Sequence, residues 1–143
     1  MSGIVCPLRG GKAGRTTATR AILLAKETGL PVHFVYVING ELLPDAPIQG
    51  APSVEGQLRE MASTMLLAAQ ALANSQGVSA ESAVRRGPVE NELITQCLDV
   101  DADYLVLNTT GGRQRETSLF TPPRLARFVD RVQSEAGTRV LFA

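Results

Sequence analysis

A doubly wound α/β sandwich built on a five-stranded parallel sheet is the fold this sequence predicts. Short apolar runs alternate along the chain with stretches of helical period, and Gly, Pro and Asn punctuate the joints between them. Such alternation calls for right-handed crossovers, which put helices on both faces of a parallel sheet. The 143 residues, 44% of them hydrophobic, suffice for one core, so 1–143 is expected to be a single domain.

The first strand, β1, is expected at 4–8, an apolar run stopped by Arg9-Gly10-Gly11 and short enough to be a strand buried on both faces. Helix α1 is expected over 16–28, where Ala18, Ala21, Ile22 and Ala25 fall on one face and Gly29 stands in C-cap position. Residues 32–38 are β-branched and aromatic, lie between Pro31 and Asn39-Gly40, and predict β2. Pro44, Pro47, Gly50 and Pro52 then make 40–52 a surface loop. Ser53 is placed to cap α2, in which Leu58, Met61, Met65, Ala69 and Leu72 are expected to share the buried face before Gly77 closes the helix. A weak strand β3 at 80–84 leads to Arg85-Arg86-Gly87-Pro88, after which Val89, Leu93, Ile94, Cys97 and Leu98 give the period of α3. Residues 104–107 predict β4, followed by Asn108-Thr109-Thr110-Gly111-Gly112. Pro123 suits the first turn of α4, which uses Leu125, Phe128, Val129 and Val132, and 139–142 close the sheet as β5.

Fourteen Lys plus Arg balance fourteen Asp plus Glu, and aromatics are 4% with no Trp. A nucleic-acid backbone finds no net attraction and exposed bases few stacking platforms, so no nucleic-acid partner is expected. No apolar run approaches the roughly 20 residues of a bilayer span, and no signal pattern opens the chain. The expected setting is cytoplasmic, with no membrane partner. Cys6 and Cys97 lie in apolar segments and are expected to be buried free thiols.

Several motifs fail on spacing. Gly10-Gly11-Lys12-Ala13-Gly14-Arg15-Thr16 has too few residues between its glycines, and an arginine where a P-loop has lysine, so it predicts a flexible βα turn. Asp99-Val100-Asp101-Ala102-Asp103 begins like a calcium loop, but Tyr104 and Thr110 replace its glycine and its final glutamate. His33 is the one histidine and sits mid-strand, so zinc finds no ligand set and a Ser or Cys nucleophile no base. No metal and no catalytic residue are expected.

Ligands of open α/β sheets sit beyond the carboxyl ends of the strands where the strand order reverses. The loops after β1, β2 and β4 therefore supply the candidate ligand-binding residues: Pro7, Leu8, Arg9, Val37, Asn108, Thr110, Gly111, Gly112, Arg113 and Thr121.

Over nearly its whole length the chain resembles the universal stress protein family. Ile4-Val5-Cys6-Pro7-Leu8-Arg9-Gly10-Gly11 is similar to that family's Ile-Leu-Val-Pro-Val-Asp-Gly-Ser, and Tyr36-Val37 to its His-Val. Gly87-Pro88 with Ile94 resembles the glycine before its third helix, and Asp103-Tyr104-Leu105-Val106-Leu107 its Asp-Leu-Ile-Val-Met strand. The resemblance implies the adenine-nucleotide-alpha-hydrolase-like sandwich with strand order 3-2-1-4-5 and a homodimer. Val140, Leu141 and Phe142 are the candidate dimer residues on an open sheet edge. Deleting the last five residues is expected to weaken that dimer.

ATP-binding members of the family carry Gly-x2-Gly-x9-Gly-[Ser/Thr] after β4. Here Asn108 takes the first glycine's place, Gly111 keeps the second, and Thr121-Pro122 replaces Gly-Ser. Arg9 stands where such members have a nucleoside-contacting aspartate. Pro122 and Pro123 lack the N–H groups that would meet phosphates at a helix start. Two lost charge-assisted hydrogen bonds cost about 3–6 kcal/mol, or roughly 10² to 10⁴ in affinity. The expectation is a binding or regulatory module that is not an enzyme, has no cofactor and does not hold ATP in the usual way. The alternative is nucleotide binding, ATP with Mg²⁺ at most slowly hydrolysed, in which Arg9, Lys12, Arg15, Arg113 and Arg115, opposed by Glu116, draw in a small anionic ligand. Arg124, Arg127 and Arg131 share helical spacing and are expected to be the solvated face of α4.

Overall fold

The computed structural model describes residues 2–9, 11–39, 54–108 and 122–143. The expected loop at 40–52 and the Ser53 cap fall outside these. The elements run β1 (Ile4–Pro7), α1 (Gly11–Thr28), β2 (Val32–Ile38), α2 (Val54–Ser75), β3 (Ala80–Arg86), α3 (Val89–Asp99), β4 (Tyr104–Leu107), α4 (Pro122–Arg131) and β5 (Arg139–Phe142), with a π-helical turn Val132–Ala136 between the last two. The five strands form one sheet, β3-β2-β1-β4-β5, with every pair parallel.

Because side chains alternate across a strand, each strand feeds two cores. Ile4, Cys6, Phe34 and Val106 pack under α1 and α2 with Ala21, Ile22, Leu66 and Ala73. Val5, Val35, Leu105 and Val140 pack under α3 and α4 with Leu93, Cys97, Phe128 and Val132. Phe34 and Phe128 anchor opposite faces, and both are fully buried. Cys6 and Cys97 are buried and free.

Three elements depart from expectation. Helix α1 begins at Gly11, so the stretch expected to be a turn forms its first turn and more. Helix α2 buries Ala62, Leu66, Ala69 and Ala73, while Met61 and Leu72 are exposed. Of the five residues expected on its inner face, only Ala69 is fully buried, because small side chains let the helix lie close to the sheet. Strand β3 runs on to Arg86, since its two arginines are held by ion pairs with α2 and α3.

His33 lies in β2 opposite Val5 and Glu81. Its ring covers Gly3, where a Cβ would stand 2.9 Å from the imidazole, and Nδ1 is 3.5 Å from Glu81 Oε1. Burial pushes its pKa below the ordinary histidine value, against a smaller upward pull from Glu81. The unfolded chain therefore binds the proton more readily. Stability contributed by neutral His33 is complete above about pH 6.5 and is lost as pH falls toward the depressed folded value. Thermal melts between pH 7.5 and 5 are expected to show a decline that is smaller in His33→Gln; equal declines would remove this account.

Candidate functional site

The strand order fixes where a ligand can sit. From β1 the chain passes through α1 to β2 on one side, and β4 lies on the other side, so the order reverses between β1 and β4. The crevice opens above the carboxyl ends of those two strands. Pro7 ends β1 half-buried. Leu8 extends the ladder, its N–H donating to the Val35 carbonyl at 2.8 Å. The Leu8 side chain is buried in the α1 core, so Leu8 offers a crevice only its main chain. Arg9 follows, half-buried at the mouth.

Val37 reaches the same end from β2. The Val35 carbonyl faces β1, and two residues on Val37 turns its N–H and C=O to that same side, beyond the last residue of β1. Its side chain packs toward α3 and α4. Asn108 leaves β4 half-buried. Pro7, Leu8, Arg9, Val37 and Asn108 are thus gathered at one end of the sheet. Thr110, Gly111, Gly112, Arg113 and Thr121 lie outside the described residues, as do Arg115 and Glu116.

Helix α1 sits tightly on this end. A Cβ on Gly14 would collide with the Arg9 carbonyl, so only glycine lets the first turn of α1 close over the end of β1. Helix α4 runs back against the strands, which brings its start to the same edge, and that start is Pro122-Pro123. Two of the donors a helix N-terminus normally offers are absent there.

The surrounding arginines are largely spoken for. Arg85 donates from Nε to Glu92 and from Nη1 to Gln96, each at 2.9 Å, and lies 3.3 Å from Asp99. Arg86 donates to Glu55 at 2.9 Å, and this bond, with help from Arg59, holds the Glu55 carboxyl below the usual carboxylate range. Arg124 and Arg131 both reach Glu90 on α3, at 3.2 and 3.8 Å, and Arg131 also holds Glu135. The expected solvated stripe on α4 is in these two residues a clasp between α4 and α3. The sequence carries a signal for the Arg85 cluster: Glu92, Gln96 and Asp99 recur at helical spacing just after an Arg-Arg strand end.

Nucleophiles are muted. Burial pushes the Cys6 thiol far up and the Cys97 thiol to about 11, against a smaller downward pull from the neighbouring Thr138 hydroxyl. Among the described residues no cluster of three or more His, Cys, Asp or Glu is placed to hold a metal ion, and no helix is long and apolar enough to cross a membrane.

An all-parallel 3-2-1-4-5 sheet whose order reverses between β1 and β4 defines a doubly wound α/β fold. The model of the universal stress protein family matches residues 1–123, and the chain belongs to that family. A curated universal stress protein of Methanocaldococcus jannaschii is 28% identical over 139 residues, 96% of this chain and 79% of that protein. Solved structures agree in fold. A universal stress protein family member from Burkholderia pseudomallei superposes with a TM-score of 0.71 at 20% identity, covering 98% of this chain and 93% of that one. A universal stress protein in complex with cAMP gives 0.67 at 17%, covering 99% and 96%. One from Archaeoglobus fulgidus in complex with dAMP gives 0.62 at 18%, covering 99% and 97%.

The close fit of α1 on β1 has a measurable consequence. Gly14→Ala must push the first turn of α1 off the Arg9 carbonyl, at a cost of about 1–3 kcal/mol. The midpoint of thermal unfolding is expected to fall by several degrees, and an unchanged midpoint would contradict the contact.

Proposed function

We propose that this chain is a cytoplasmic binding or regulatory module of the universal stress type, working as a homodimer, whose crevice does not hold ATP in the usual way and which is not an enzyme. The observation that carries this reading is the start of α4 on Pro122-Pro123, where a nucleotide's phosphates would look for main-chain donors. The raised thiols and a histidine tied to Glu81 in mid-strand support the absence of chemistry.

Isothermal titration with ATP and Mg²⁺ is the test. The chain as it stands is expected to bind no tighter than high micromolar, and Pro122→Gly with Pro123→Ser, which returns two N–H groups, is expected to tighten binding by roughly 10² or more. Submicromolar binding by the unaltered protein would overturn the proposal.

A second reading keeps a nucleotide in the crevice. It is favoured by Arg9 at the end of β1, by the Val37 main chain turned toward the same opening, and by the likeness to structures holding cAMP and dAMP. In this reading guanidinium groups replace the lost donors and a small anionic ligand is held from the β1 side. The same titrations, extended to AMP and cAMP, decide it: Arg9→Glu with Arg113→Glu is expected to abolish binding, and unchanged binding would end this reading.

The dimer is read from β5, which among the described residues has a partner strand on one side only. Arg139 and Ala143 donate their N–H groups to Asp103 and Leu107 in and beside β4, so the alternate main-chain groups at Val140 and Phe142 face outward. Phe142 is 49% exposed and Leu141 half-buried, whereas the Val140 side chain belongs to the chain's own core. Removing the last five residues would therefore strip core as well as edge, and Phe142→Glu is the cleaner variant. Light scattering is expected to give a dimer at micromolar protein and a shift toward monomer in Phe142→Glu. A monomeric unaltered chain would contradict the pairing.

A further inference from the structure

Helix α2 carries two apolar seams, and only one meets the sheet. Ala62, Leu66, Ala69 and Ala73 are buried, the last three in the core beneath α1 and α2. One residue ahead of each, and continuing toward the start of the helix, run Val54, Leu58, Met61, Met65, Ala68 and Leu72, at alternating steps of four and three. Val54, Met61 and Leu72 are 43%, 44% and 42% exposed, Ala68 is exposed, and Leu58 and Met65 are half-buried. A seam of this spacing is the one that another helix covers by knobs-into-holes packing.

From Met61 to Ser75 the helix has no charged residue in a chain that is 20% charged. An anionic surface or an acidic peptide would find no cation here, whereas an equally uncharged helix loses nothing by covering it. The steps of four and three read the same from either end. A second α2 laid antiparallel about a two-fold axis at the level of Ser63 therefore matches all six positions: Val54 faces Leu72, Leu58 faces Ala68, and Met61 faces Met65, with the relations repeated from the other copy. Large side chains meet small ones at the Leu58 and Ala68 layer. Self-matching of this kind is what a two-fold interface requires. A parallel pair would set Arg59 beside Arg59 and Glu60 beside Glu60, while the antiparallel pair lays these residues beside the partner's uncharged half.

We propose that this outer seam of α2 is a self-association surface, separate from the β5 edge, on which a second copy of the chain pairs antiparallel through the same six residues. Six side chains a copy are fewer than the roughly 20–30 residues a side of a stable free-standing interface. The contact is therefore weak by itself, forms with or without pairing at β5, and fills at high micromolar protein.

Oxidative cross-linking of the full chain tests the surface and its direction. In Val54→Cys/Leu72→Cys the two thiols lie eighteen residues apart on one helix and cannot bridge within a chain, and the same holds for Leu58→Cys/Ala68→Cys. The native Cys6 and Cys97 are buried. Each double variant, shown to be folded by circular dichroism, is expected to yield a covalent dimer on a non-reducing denaturing gel, while the four single variants stay monomeric there. A single variant that cross-links as well as its double, as a parallel pair or an unrelated collision would give, overturns the proposal. So does failure of both folded doubles to cross-link at high micromolar protein. Denaturant dissolves any β5 pairing before the gel is read, so failure of the strand-edge dimer and failure of this contact remain distinct.

Discussion

Parallel pairing of β1 with both β2 and β4 is the constraint from which the ligand end of this molecule follows. Strand β1 holds the centre of the sheet, with Ile4 and Val5 opposite Val32 and His33 on one side and opposite Tyr104 and Leu105 on the other. Its neighbours are reached by crossovers on opposite faces, through α1 to β2 and through α3 to β4. The chain therefore diverges at the end of β1 and leaves a gap that no crossover fills. Strand β1 stops at Pro7 while β2 continues to Ile38, so the main chain of Val37 lies beyond the last residue of β1. The opening is a product of unequal strand lengths as much as of strand order.

Much of this was legible in the sequence. Strands β4 and β5 have the expected bounds, and β2 as well, because each is a short apolar run, and β2 is in addition rich in β-branched residues between Pro31 and Asn39-Gly40. The order of elements followed from alternation, and the order of strands from the family resemblance. Two features were hidden for physical reasons. Glycines at 10, 11 and 14 carry low helix propensity, so α1 was expected to begin at Thr16; tertiary contact overrides propensity here, because Gly14 alone can lie against Arg9. In α2 the apolar arc is wider than the strip the sheet can cover. Periodicity marks both seams equally, and what selects the inner one is the size of Ala62, Ala69 and Ala73, which permits close approach, rather than the greater hydrophobicity of Met61 or Leu72.

Charge at the crevice end is arranged asymmetrically. On the β3 and α4 sides the arginines meet acids: Arg85 with Glu92 and Asp99, Arg86 with Glu55, Arg124 and Arg131 with Glu90. Exposed pairs of this kind contribute little each to stability, about 0–1 kcal/mol. Of these, the Arg124–Glu90 pair lies at the start of α4, where it cancels positive potential. Helix dipole and main-chain donors would ordinarily offset that loss, yet Pro122 and Pro123 withhold two donors at that point. On the β1 side Arg9 follows the strand directly and Arg15 sits one turn beyond Gly11 at the start of α1. A helix start that lacks two main-chain donors supports an anion poorly on the α4 side. The proline pair and the Arg124–Glu90 pair thus act in the same direction at the start of α4.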